Sequence, residues 1–266
     1  MMPGHASKYV VLCLIWTAGL LPLAVCQQTD LSADTATIAE QYLLAAANQE
    51  RIARGLSVLR RDPTLAQVAA EHAREMAVHG TISHQFPGEP ELSNRGASAG
   101  IAFSVISENV AEAPSAVQIH DMWMHSEHHR ENLLDPAIDS AGISVIARGG
   151  ELYAVEDFVK SVRSASLDQQ EASIEALIAR QGPIALDTSR ASIAAARQTC
   201  AMQTGYAGAV KPWFVMRFTS DSLTQLPEQL KARMDSGRYH KAAVGACSEP
   251  GSAPFTSYNF AVLLYP

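Results

Sequence analysis

The stretch Trp123-Met124-His125-Ser126-Glu127-His128-His129-Arg130-Glu131-Asn132-Leu133-Leu134 carries three of the chain's nine histidines and reads as the junction of two short helices. Ahead of it Pro114 opens a helix in which Ala116, Ile119 and Trp123 share a face. Ser126 ends that helix or caps the next, which runs to Asp135-Pro136. Working outward, seven of the nine histidines fall between His72 and His129, and the same window holds Ser83-His84 and Ser107-Glu108-Asn109-Val110-Ala111. A neutral imidazole is the commonest transition-metal ligand and titrates nearest neutral pH, so this window is where chemistry is expected.

Upstream, Ile38 to Arg54 is Ala-rich and helix-favouring, with Gly55 at the C-terminal cap position. Asp62-Pro63 supplies an N-cap and a first-turn proline for a second helix. In it Leu65, Val68, Ala69, His72, Met76 and His79 recur at three- and four-residue spacing up to Gly80, which predicts His72 and His79 as hydrogen-bonded core histidines. Thr81 to Ala113 lacks sustained periodicity and reads mostly as loop with one helical turn. Downstream, Gly142–Ala147 and Glu151–Phe158 read as strands joined at Gly149-Gly150.

Beyond Lys160 the sequence predicts helices near Ser166 to Arg180 and Thr188 to Cys200, and a strand from Trp213 to Phe218. A helix interrupted by Pro227 follows, then two strands ending Tyr258 to Tyr265. The closing hairpin echoes the one that ends the first half. Apolar hairpins are too common for that echo alone to establish a duplication.

Residues 1–26 read as an export signal, with Lys8, an apolar run from Tyr9 to Val25, and Cys26 before a polar segment. Leu23-Ala24-Val25-Cys26 resembles a lipobox, which would make Cys26 a lipid anchor; plain cleavage after Cys26 is the other reading. Either way the product is extracytoplasmic: secreted, periplasmic or lipid-anchored. Cys200 and Cys247 then remain in the folded part, as a disulfide or as two buried thiols. Without its first 25 residues the chain has 19 bases against 27 acids, net −8, and no basic run. That argues against nucleic acid and anionic membrane surfaces as partners, leaving the Cys26 anchor as the membrane attachment.

Several chemistries fail on spacing. His125 and His129 are four apart, but Ser126 stands where a zinc-protease helix needs its glutamate. No Gly-x-Ser-x-Gly elbow surrounds Ser126, and the chain has no phosphate loop and no Cys-x-x-Cys pair.

What remains needs a fold to bring it together, and at these residues the sequence resembles the CAP superfamily, the SCP-like extracellular domain, in its bacterial form. The resemblance begins at Asn48, Arg51, Gly55-Leu56, Asp62, Leu65, His72-Ala73 and Met76-Ala77. It passes through His84, Glu108-Asn109 and the 123–134 stretch and ends at Gly142-Ile143-Ser144-Val145, Tyr153 and Asp157-Phe158. It covers about Thr37 to Lys160 and implies a three-layer α-β-α sandwich. The chain as a whole is then α+β: signal 1–26, linker 27–36, a CAP domain over 37–160, and a smaller α+β domain of unknown role over 161–266.

The resemblance implies a surface cavity in which His84 and His129 bind a divalent metal such as zinc, with Glu108 as the neighbouring acid and Asn109, Trp123 and Ser126 on the cavity. Animal members add a second glutamate where Ser126 stands here, and Ser107 replaces the glycine that usually precedes Glu108. Two protein ligands are one fewer than a usual catalytic zinc site has. Glu108 would accept the proton of a metal-bound water or orient a histidine; alternatively the trio is a polar cluster pinning loops to the sheet. His120, His125 and His128 are expected on the cavity rim, and Arg130 and Asn132 as loop-bridging hydrogen bonders. Two functions are therefore expected: a cell-envelope binding or scaffold module for a lipid, glycan or protein, or a metal-dependent hydrolase using His84, His129 and Glu108.

Overall fold

The computed structural model describes residues 36–248 and 255–266. The expected export signal, the expected lipid anchor at Cys26 and the expected linker fall on residues 1–35 and lie outside the described residues. No helix among those described is long and apolar enough to cross a membrane.

Two four-stranded sheets lie one after the other along the chain. The first unit runs α1 (Ile38–Ile52), β1 (Arg60–Arg61), α2 (Pro63–His79), α3 (Leu92–Ser98), β2 (Phe103–Ala113), α4 (Ala116–His125), α5 (Glu127–Leu134), β3 (Ser140–Arg148) and β4 (Glu151–Ser161). Its strand order is β1-β3-β4-β2, with β1 parallel to β3 and the other pairs antiparallel. One face packs Leu43 and Ala47 of α1, Ile119 and Trp123 of α4 and Leu133 of α5. The other packs Ala69, Ala73 and Met76 of α2. This is the three-layer sandwich.

Local sequence sets the helix ends. Thr37 and Glu40 form a capping box, and the second oxygen of Glu40 takes the Val145 N–H at 3.0 Å, which ties the start of α1 to β3. Asp62 caps α2 ahead of Pro63, and Gly80 closes it in the left-handed conformation at φ 65°. At the other end of α1, Arg51 is fully buried and donates to the carbonyls of Ser57, Leu133, Asp135 and Ile138, fastening α1 to the loop before β3.

The second unit runs α6 (Leu167–Gln181), β5 (Ala185–Leu186), α7 (Arg190–Cys200), β6 (Phe214–Ser220), α8 (Glu228–Met234), β7 (Lys241–Cys247) and β8 (Tyr258–Tyr265). Its strand order is β5-β7-β8-β6, with β5 parallel to β7. Strand order and pairing sense repeat those of the first unit, and so does the element order apart from two further helices in the first. The layers repeat too: α6 and α8 cover one face and α7 the other. Asp62 N–H bonds to Ala141 O, and Asp187 N–H to Ala242 O, at the same point of the parallel pair. Counted from there, Val145 corresponds to Ala246, and each amide is taken by a glutamate of the unit's first helix, Glu40 or Glu171. Each unit also has a glycine against which its central helix rests, because a Cβ on Gly142 or Gly245 would come within 2.4 Å of helix backbone. The hairpin echo in the sequence is thus part of a repeated architecture. Helical insertions and different side chains hide it from a one-dimensional reading.

Two expectations about the elements need correction. The segment Thr81 to Ala113, read as mostly loop, contains α3 and the eleven-residue strand β2. Most of the central residues of β2 are buried on both faces, so Ser107-Glu108-Asn109 breaks the period-two signal that would have revealed the strand. The two-residue strands β1 and β5 are too short to leave a pattern. Pro227 precedes α8 as its N-cap and does not interrupt it. Cys200 and Cys247 form a disulfide, with Cα atoms 5.8 Å apart, joining the end of α7 to the end of β7.

Candidate functional site

β2 is an edge strand of the first sheet, and Glu108 lies at its middle, directly across from Asp157 on β4. The Glu108 side chain is almost fully buried. Its Oε1 accepts from His84 Nδ1 at 2.9 Å, and its Oε2 accepts from the Arg95 guanidinium at 2.5 Å. Arg95, on α3, also donates to Glu89 Oε1 at 2.7 Å. Glu89 in turn meets His72 Nδ1 at 2.7 Å and accepts the Phe86 N–H through Oε2. His72 Nε2 faces the Ser83 carbonyl at 2.7 Å. Both ring nitrogens of His72 are therefore engaged, one by the Glu89 carboxyl and the other by the Ser83 carbonyl. The result is a continuous chain, His84–Glu108–Arg95–Glu89–His72, that binds the 83–89 loop and α3 onto α2 and β2.

Electrostatics follow from this layout. Burial opposes the charge on Glu89, but the Phe86 N–H, Arg95 and His72 outweigh it and hold its carboxyl below the usual range. The hydrogen bond to Glu108 raises His84 above an ordinary histidine, against the effect of its partial burial. Asp157 is fully buried with no donor to either oxygen among the described residues, and burial together with neighbouring Glu108 pushes its carboxyl well up.

The other half of the site comes from α5. His129 is half-buried, and burial first, then the neighbouring His84 and His128, lowers its pKa from the ordinary histidine value. Its carbonyl accepts from Asn109 Nδ2 at 3.0 Å. Asn132 Nδ2 bonds to the Glu108 carbonyl and to Asn109 Oδ1, so α5 is stitched to β2 through backbone. Arg130 spans the α4–α5 junction to the Met124 carbonyl. Arg130 and Asn132 bridge segments in the way the sequence suggested.

Of the expected site residues, His84 is the exposed one, with 62% of its side chain open, and its Nε2 has no protein partner among the described residues. Ser126 is half-buried where α4 meets α5. Asn109 and Trp123, expected on the cavity wall, are fully enclosed; Trp123 lies in the core and donates to the Val110 carbonyl. They support the site from behind. Among the peripheral histidines, His125 and His128 are exposed and His120 is half-buried. His79 also departs from its expectation, since it stacks on Phe86 in the open. Among the described residues no three His, Cys, Asp or Glu side chains group as metal donors.

The sequence reading missed Arg95 and Glu89 because both lie in the segment taken for loop. Asp157 was visible only as a match to the family pattern. A groove of about 870 Å³ between α2, the 86–90 loop and α3 shares Glu89 and Arg95 with the network.

Residues 44–158 match the family model described as CAP, the cysteine-rich secretory protein family. This segment is a CAP domain. The CAP domain is 29% identical over 111 residues to the uncharacterized protein YkwD of Bacillus subtilis, covering 41% of this chain and 43% of that one. It is 29% identical over 128 residues to the uncharacterized membrane protein YlbC of the same organism, covering 47% of this chain and 35% of that one. The chain thus spans less than half the length of either curated relative. A solved extracellular protein containing an SCP domain, from Bacillus anthracis, is 26% identical, with a TM-score of 0.43 over 46% of this chain and 40% of that one.

Proposed function

We propose that this chain is an extracytoplasmic cell-envelope protein whose CAP domain acts as a binding or scaffold module for a lipid, glycan or protein. In this reading His84 and His129 offer a divalent metal such as zinc two imidazole nitrogens. The observation that carries it is the engagement of Glu108: one oxygen receives His84 Nδ1 and the other Arg95. A carboxylate on Nδ1 fixes the tautomer that leaves Nε2 free to ligate, which is the usual supporting arrangement around a metal-bound histidine. His129, whose charged form burial and the nearby imidazoles disfavour, is offered for the second position. When bound, the metal would supply a Lewis-acidic anchoring point, and the protein's own residues hold and orient the imidazoles.

The same engagement argues against the hydrolase alternative, in which Glu108 must take a proton from water. The disulfide and the apolar leader support a location outside the cytoplasm.

Glu108→Gln tests the proposal. Loss of the oriented carboxylate should weaken zinc binding by roughly 10- to 100-fold in a variant whose amide spectrum stays native. Unchanged zinc affinity in a folded variant would remove Glu108 from the site.

A further inference from the structure

We propose that the second unit is a brace for the first unit's site, holding the end of β2 from which Arg95 and Glu108 are positioned. It carries no site of its own at the corresponding place. Following the strand registers of the two sheets, Glu108 and Asn109 correspond to Val215 and Met216, and Glu156 and Asp157 to Val262 and Leu263. All four positions are apolar in the second unit. It shares the layers of the first unit without its polar centre, so its contribution comes through contact.

Those contacts converge on one end of the first sheet. Thr256 N–H bonds to the Phe103 carbonyl at 2.7 Å, and the Phe255 ring meets Phe103 edge-on, centroids 5.3 Å apart. Asp221, just past β6, accepts from Ser104 Oγ at 3.2 Å and pairs with Lys160 at the end of β4. Val162 N–H closes the end by bonding to the Ala102 carbonyl, and Val162 belongs to the second unit's core.

Phe103 is fully buried, and it packs under α3, where a Cβ on Gly96 would come within 3.1 Å of both Phe103 and Ile106. Gly96 adjoins Arg95, whose guanidinium holds Glu108, which holds His84. The path from Phe255 to the site thus runs through Phe103, α3 and Arg95. It is parallel to about 17 Å of β2 backbone from Phe103 to Glu108.

The inference rests on the proposed function only in taking Glu108 and His84 as the site, and its test uses no metal. Amide hydrogen exchange is measured on the full chain and on Asp221→Ala/Phe255→Ala. Exchange at Arg95 and Ser107–Asn109 is expected to quicken at least tenfold, while Val244 and Val262 in the second core stay within threefold. Phe255→Ala alone, at a half-exposed ring, gives a milder variant should the double change unsettle the second unit. The exchanged pair Lys160→Asp/Asp221→Lys, with Phe255 intact, should restore native protection. Unchanged exchange at Arg95 and Glu108 in a variant that frays only at Phe103 overturns the proposal.

Discussion

Arg95→Met removes the guanidinium that pairs with both Glu89 and Glu108. The side chains of Arg95, Glu89 and Glu108 are only 7%, 12% and 3% exposed, so water does little to compensate either carboxylate once the guanidinium is gone. Breaking a buried pair by deleting one partner typically costs about 3–5 kcal/mol. For a chain of this size that corresponds to a melting temperature about 6–20 °C lower.

The pH dependence carries the sign of the argument. In the native protein Glu89 is held below its usual range, so its stabilisation is present above the unfolded value and fades as pH falls through the folded one. In the variant the two carboxylates stay buried without the guanidinium, and burial disfavours their charged forms, so the loss is expected to be greatest at high pH and least once they are protonated. Differential scanning calorimetry should therefore show a gap between native and variant at pH 7.5 that narrows at pH 5. A gap under about 2 °C at pH 7.5, or one that widens on acidification, would refute the reasoning.

Glu156 is fully buried without a hydrogen-bond partner among the described residues, and burial pushes it to about 8. Because its folded value is raised, the cost grows as pH climbs from the unfolded value. Glu156→Gln should thus gain on the order of 3 kcal/mol at pH 7 and almost nothing near pH 4 by urea denaturation. Equal gains at both pH values would exclude that ionisation. Gly142→Ala and Gly245→Ala each force a methyl into helix backbone and should each cost at least about 1–3 kcal/mol in thermal melts, although the two glycines stand at different register positions of β3 and β7. A neutral result at Gly245 would count against the close approach of α7 to β7 there. Cys200→Ser/Cys247→Ser opens a link between residues 47 apart and should lower stability by about 4 kcal/mol. Protection should fall first in β7 and β8 by hydrogen exchange; loss confined to the first sheet would contradict the layout.

Much of the first unit was legible because its helices carry their own punctuation: Asp62-Pro63 and Gly80 bound α2, and Pro114 and Ser126 mark α4. His84, Glu108 and His129 were also legible, although only as members of an ordered pattern. Nothing local in the sequence joins residues 24 apart such as His84 and Glu108. The network around Glu108 was not readable, since Arg95 and Glu89 come from a segment whose Gly, Pro and Ser content reads as loop while tertiary packing makes it helix and strand. Asn109 and Trp123 were placed on the cavity because the pattern gave their position along the chain without their depth. The repetition of the fold was hidden for a related reason. Topology and register repeat through backbone hydrogen bonds, and those are indifferent to whether position 108 or 215 holds Glu or Val.

The central claim is that His84 and His129 form a two-imidazole site oriented by Glu108. Isothermal titration of zinc into the chain from Gln27 onward, beside His84→Ala/His129→Ala, tests it most directly. Micromolar or tighter binding near one zinc per chain, lost in the double variant, is the predicted result. A well-folded chain that takes up no zinc, or a double variant that binds it equally well, would contradict the claim.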